Sequence, residues 1–180
     1  MKIFKTNDQA KRRAAGMTLI EIVVASGVGT LILTAVAFLS MFGARSFAAM
    51  GNYGDLDRKS RNALDIMSKE VRQSRSLTSF SATRLVFQDN DTNTLTYSYD
   101  STAHTLTRTK GAETVVLLTG CDYLNFDISQ RNPSNGFTFY PTTNVSTAKL
   151  IDVSWKCSRT ILGSKVNTES VQTAKIVIRN

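Results

Sequence analysis

The sequence predicts an α+β chain: one long N-terminal helix, half of it membrane-crossing, packed on an antiparallel β-sheet. Three observations carry that prediction. No charged residue occurs from Ile22 to Ala44, apolar residues then recur at spacings of three and four from Phe47 to Val71, and after Thr78 the pattern becomes an alternation of apolar and polar residues. No helical pattern separates the later apolar stretches, which excludes a doubly wound parallel sheet.

The 23 uncharged positions come first. At about 1.5 Å per helical residue they cross a hydrocarbon layer of about 30 Å, so residues 17–44 are read as the membrane-crossing half of the helix. Glu21 stands inside the front edge of this apolar segment. A carboxylate at mid-bilayer costs about 2.5–3.5 kcal/mol, less near the interface, and an acid in that position points to a specific partner. The preceding residues 1–15 carry Lys2, Lys5, Lys11, Arg12 and Arg13 against Asp8, which predicts a cytoplasmic N-terminal end and an outward-facing chain after Arg45. A secretory signal has its small-residue cleavage site after the apolar core. Here Gly16 lies before it, so a peptidase at the cytoplasmic membrane face would cut between Gly16 and Met17, removing leader 1–16 and leaving the span attached.

The string Gly16-Met17-Thr18-Leu19-Ile20-Glu21, between a short basic leader and some twenty apolar residues, resembles the cleavage and methylation signal of type IV pilins and type II secretion pseudopilins. The resemblance implies that a prepilin peptidase cuts after Gly16, that Met17 becomes the N-methylated terminus, and that Glu21 is the acidic residue used in assembly. Phe is the commoner processed residue in that family, so Met17 departs from its pattern. Elementary electrostatics gives Glu21 a role of its own: the freed Met17 amine is cationic at neutral pH, and opposite charges on two staggered helices compensate one another.

Residues 45–79 continue as an amphipathic half of the same helix. Phe47, Met50, Tyr53, Leu56, Ala63 or Leu64, Met67 and Val71 trace a stripe expected to pack on the sheet, opposite Asp57, Lys59, Arg61, Asp65, Lys69 and Arg72. Gly27, Gly29, Gly51 and Gly54 each weaken a helix by about 1 kcal/mol relative to Ala, and small residues also admit a close neighbouring helix. The segment Leu64-Asp65-Ile66-Met67-Ser68-Lys69-Glu70-Val71-Arg72-Gln73 is similar to minor pilins and to minor pseudopilins with larger globular domains.

Residues 80–180 are predicted to be one antiparallel globular domain. Strands are expected around Leu85 and Phe87, at Leu95 to Tyr99, Thr105 to Thr109, Thr114 to Leu118, Tyr123 to Ser129, Phe137 to Tyr140, Leu150 to Cys157 and Val171 to Ile178. Turn chemistry marks Asn90 to Asn93, and Asn132-Pro133-Ser134-Asn135-Gly136 is the clearest loop.

The sequence offers little material for catalysis. His104 is the only histidine and falls on a threonine-rich hairpin, where a solvated strand residue is expected. No glycine-rich phosphate loop occurs, and Asp89, Asp91 and Asp100 read as turn formers because an EF-hand loop is lacking. No catalytic residue, cofactor or metal ligand is assigned. Of the formal charge of +8, four units belong to residues 1–15, and the other basic residues are scattered, which argues against nucleic-acid binding. Cys121 and Cys157 are a candidate disulfide in an outward-facing domain. Strand parity opposes the pairing, since Cys121 alternates with Tyr123 and Asp127 while Cys157 shares the face of Trp155, but a bulge near Gly120 would restore it. Both readings stand at this point.

The expectation is a non-enzymatic structural subunit, a minor pilin or pseudopilin held in a bacterial inner membrane with an outward C-terminal domain. By resemblance its partners are prepilin peptidase, other pilin or pseudopilin subunits and an inner-membrane assembly platform. A surface-binding adhesin, a DNA-uptake pseudopilin and a membrane-tethered enzyme are the alternatives.

Overall fold

A computed structural model describes residues 16–89, 93–132, 134, 138–160 and 169–178. The rest of the predicted leader, Asp91 and most of the loop after Asn132 lie outside them. The fold is α+β: among the described residues a single helix, α1 (Leu19–Gln73), precedes nine strands in two antiparallel sheets. The chain divides into two compact units, residues 1–44 and 45–180.

In the first unit α1 is the one helix among the described residues long and apolar enough to cross a membrane. Every large apolar side chain from Met17 to Phe42 is exposed. Three hydroxyls of this segment are satisfied within the helix: Ser26 donates to Val23 O (2.9 Å), Thr30 to Gly27 O (2.8 Å) and Thr34 to Thr30 O (2.7 Å). A helix that satisfies its polar groups internally suits a solvent without donors or acceptors.

In the second unit the buried side of α1 is Leu56, Ser60, Ala63, Met67 and Val71, spaced three, four or seven apart. The helix runs without interruption through Gly51 and Gly54 and ends at Gln73, where the Ser74 hydroxyl donates to Val71 O at 2.7 Å. This corrects the expected end near residue 79. Residues 76–81 form a strand instead, with few apolar residues to announce it.

The first sheet is a five-stranded meander in sequential order: β1 (Ser76–Ser81), β2 (Arg84–Gln88), β3 (Thr94–Asp100), β4 (Thr105–Lys110) and β5 (Glu113–Thr119). The second is ordered β7-β6-β8-β9, from β6 (Cys121–Arg131), β7 (Phe139–Pro141), β8 (Ala148–Ser158) and β9 (Glu169–Val177). The single sheet of the sequence reading is therefore split in two. The split falls at Gly120, which has φ 68° and lies so near β8 that an added Cβ would sit 2.6 Å from Ser158 O. Only glycine fits a left-handed residue against a neighbouring backbone in this way.

One core joins α1 to both sheets. Leu85, Phe87, Leu95, Tyr97 and Leu106 come from the first sheet, and Leu124, Phe126, Ile128, Ile151, Val153 and Trp155 from the second. Phe87 and Tyr97 pack edge to face at 6.5 Å. The upper part of the predicted stripe is absent from this core. Phe47, Met50 and Tyr53 are 77%, 73% and 52% exposed, because burial begins only at Leu56.

Candidate functional site

Gly16 and Met17 directly precede the head of α1, whose first turn carries Glu21. Thr18 and Glu21 close a reciprocal ring: the Glu21 carboxylate accepts from Thr18 N and from its hydroxyl, both at 2.9 Å, and Glu21 N donates back to Thr18 Oγ1 at 3.4 Å. This is a capping box, in which residues three apart satisfy two otherwise orphaned donors. The motif Thr-x-x-Glu is present in the sequence, but a reading of Glu21 as an acid in lipid awaiting an outside partner passes over it. Met17 is 78% exposed, directly ahead of the box, and no atom lies within 4 Å of the position a Gly16 Cβ would take. The site is thus an open peptide bond next to a capped helix end.

Polar contacts at Glu70, Asp55 and Ser60 tie the second-unit part of α1 to the rest of that unit. Glu70, one residue before the buried Val71, accepts from Tyr97 Oη at 2.6 Å and from Arg108 Nε at 2.9 and 3.0 Å. Burial works to raise the Glu70 carboxyl, but the hydrogen bonds from Arg108 and Tyr97 outweigh it and leave the group below its ordinary value. Burial and the adjoining carboxylate push the Tyr97 phenol upward, so it stays protonated and donates. Further up α1, Asp55 receives Arg58 Nη2 at 2.9 Å, Arg159 Nη2 at 2.7 Å and Lys59 Nζ at 3.2 Å, which hold its carboxyl down to about 2. Between these, Trp155 Nε1 donates to the fully buried Ser60 hydroxyl at 3.2 Å. Sequence periodicity found the apolar side of this helix but none of these three partnerships, which depend on residues 27 to 104 positions distant.

Where the sheets meet, the backbone carbonyl of Cys121 accepts from Tyr99 Oη at 2.9 Å and lies 3.2 Å from His104 Nδ1. His104 is an exposed turn residue with φ 53°, a correction to its expected place on a strand. Asp100 shapes the same turn by accepting from Thr102 N and Ala103 N at 2.8 and 3.0 Å. Ser158 donates to Asp122. Cys121 and Cys157 are both buried, carry free thiols and are direct partners across β6 and β8. The parity objection is removed by a register shift between Cys121 and Tyr123, which turns Cys121 onto the core face.

A groove of about 990 Å³ lies along the second sheet, lined in part by Phe80, Asp127, Pro141, Thr142, Asp152 and Lys175. Asp127, Asp152 and Lys175 form one row across β6, β8 and β9. Asn125 Nδ2 donates to Asp127 at 2.6 Å, and Lys175 Nζ is 3.7 Å from Asp152. The groove wall includes no histidine or cysteine. Among the described residues no three His, Cys, Asp or Glu side chains converge as a metal site.

Compared with protein-family models, with curated proteins and with solved structures, the chain finds no match.

Proposed function

We propose that this chain is a non-enzymatic structural subunit of the pilin or pseudopilin kind, a minor one, trimmed after Gly16 by a prepilin peptidase and methylated at Met17. It is inserted once in a bacterial inner membrane with its second unit facing outward. An inner-membrane platform then assembles it into a filament through the apolar part of α1, with Glu21 set against the Met17 amine of a neighbouring subunit. The observation that carries this reading is the pairing of an acid and a cleavable glycine at the head of a helix whose apolar side chains the chain itself leaves uncovered. The basic leader supports the orientation.

Two measurements test it. Mass spectrometry of the mature terminus in the source bacterium is expected to find a chain starting at Met17, and an intact leader on the assembled protein would refute processing. For Glu21, the substitution Glu21→Gln keeps the capping box and removes the charge, whereas Glu21→Val removes both. Charge pairing requires both variants to insert normally and to fail in filament incorporation. Normal incorporation of Glu21→Gln would reduce the acid to a helix cap.

A further inference from the structure

We propose that Cys121 and Cys157 form a disulfide that fastens β6 to β8 at the point where the chain passes from one sheet to the other. The occasion for oxidation rests on the outward orientation proposed above; the geometry does not.

The argument begins with the ladder. Cys121 and Cys157 are Cα partners, and one step outside them Ser158 N donates to Gly120 O at 2.8 Å. A bond at that flanking position makes the cysteines a non-hydrogen-bonded antiparallel pair. Such pairs have Cα atoms about 4.5 Å apart and the closest side chains in a sheet, within the roughly 4.4–6.8 Å span that a disulfide bridges. The two side chains share a face: Cys121 is 0% exposed and Cys157 1%. The register shift after Cys121 is what places it there, since unbroken alternation would have pointed it away from Cys157.

The surroundings hold the pair in place. The Cys121 carbonyl takes contacts from Tyr99 of β3 and from His104 in the turn before β4, Cys121 N donates to His104 O at 2.9 Å, and the Gly120 backbone abuts Ser158. The Cys121 thiol donates to Tyr123 O at 3.2 Å, a weak bond that costs little to give up.

The chemistry is thiol–disulfide exchange with a disulfide oxidant such as a protein dithiol oxidase or oxidised glutathione. One cysteine thiolate attacks an oxidant sulfur, breaking its S–S bond, forming a mixed disulfide and releasing one reduced thiol. The second cysteine, as thiolate, attacks the protein sulfur of that intermediate and expels the second oxidant thiol. Two cysteine protons pass to the two released thiolates, the protein loses two electrons and the oxidant gains them. Because both sulfurs are buried in the folded domain, the exchange takes place as β8 docks on β6, and the finished bond is shielded from reductants.

The test uses the full chain in detergent micelles, unfolded with reductant and refolded with either oxidised glutathione or excess dithiothreitol. Each sample is then denatured, alkylated with iodoacetamide and weighed intact. The expected product of oxidative refolding takes up no alkyl group and is lighter by two hydrogens, while the reduced sample takes up two groups. Two alkylated cysteines, or glutathione adducts, on oxidatively refolded chains with native Trp155 fluorescence would overturn the proposal. The variant carrying both Cys121→Ala and Cys157→Ala should melt at one temperature under both conditions, where the wild type melts higher when oxidised. Equal wild-type melting temperatures would likewise overturn it. Protein taken directly from cells addresses the orientation separately: free thiols there, alongside a closed bond after refolding, would sink the outward placement and leave the pair intact.

Discussion

The Glu70 carboxylate meets the Arg108 guanidinium across the gap from α1 to β4, with both oxygens within 3.0 Å of Nε and both side chains less than 15% exposed. Taking either partner away leaves a charge largely out of water, the costly way to break an ion pair. Arg108→Met is therefore expected to destabilise the second unit by about 2–3 kcal/mol, and Glu70→Gln, which keeps an acceptor for Tyr97, by less. The double variant should lose less than the sum of the singles by at least about 1 kcal/mol. Urea unfolding followed through Trp155, the only tryptophan, measures this; strict additivity would show that the pair is not coupled.

Acid should loosen the same attachment. Glu70 and Asp55 both have folded-state values below their ordinary ones, so the stability they confer is present above the unfolded-state values and is lost as pH falls through the folded-state values. For Asp55 that window runs from 3.8 down to about 2. The urea midpoint is expected to show no pH dependence from these two groups between about pH 7 and 5, where their contribution is fully present, and to drop below about pH 4.5. Arg108→Met removes the main counterion of Glu70 and should flatten the upper part of the drop. A variant with the wild-type slope throughout would exclude Glu70 as its source.

Gly120 and Gly111 both have positive φ, 68° and 59°, but only Gly120 faces a backbone atom. The dihedral alone costs a non-glycine residue about 1–3 kcal/mol. Gly111→Ala should show that cost and no more, because no atom lies within 4 Å of its added Cβ. Gly120→Ala should lose about 1 kcal/mol or more beyond it, since Ser158 O has to move. Equal losses in thermal denaturation would mean that the close approach at the sheet junction carries no weight.

The exposed apolar residues ahead of Leu56 separate folding from association. Phe47→Ser and Met50→Ser are expected to change stability by less than about 0.5 kcal/mol, whereas Met67→Ala, in the core, should cost about 2–5 kcal/mol. If the chain assembles as proposed, the two serine variants should give weaker subunit contacts in membrane cross-linking. If Phe47→Ser unfolds the domain as readily as Met67→Ala, the residue belongs to the core after all.

What the sequence disclosed follows from how far each signal reaches. Alternation exposed the inward faces of β2, β3, β6 and β8 because Leu85, Phe87, Leu95, Tyr97, Leu124, Phe126, Val153 and Trp155 repeat with period two. It missed β1, where Leu77 and Phe80 are the only large apolar residues and do not alternate, and it ran the helix across it. It could not divide the sheet, since a one-residue turn at Gly120 leaves the pattern on both sides intact. The helical stripe carried no information about what covers it, so Phe47 and Met67 looked alike. Ser60 looked like a surface residue until Trp155, 95 positions away, supplied its partner. At the head of the helix the internal use of Glu21 lay in a three-residue spacing easily overshadowed by the cost of an acid in lipid.

The ring between Thr18 and Glu21 has a bearing on how subunits join and part. Its carboxylate is already engaged before any neighbour arrives. On the proposed assembly, an incoming ammonium must displace resident donors, so docking is a swap of one set of contacts for another and its driving force is only their difference. On that assembly, a subunit leaving the filament would fall back to a closed helix end instead of stranding a bare anion in lipid.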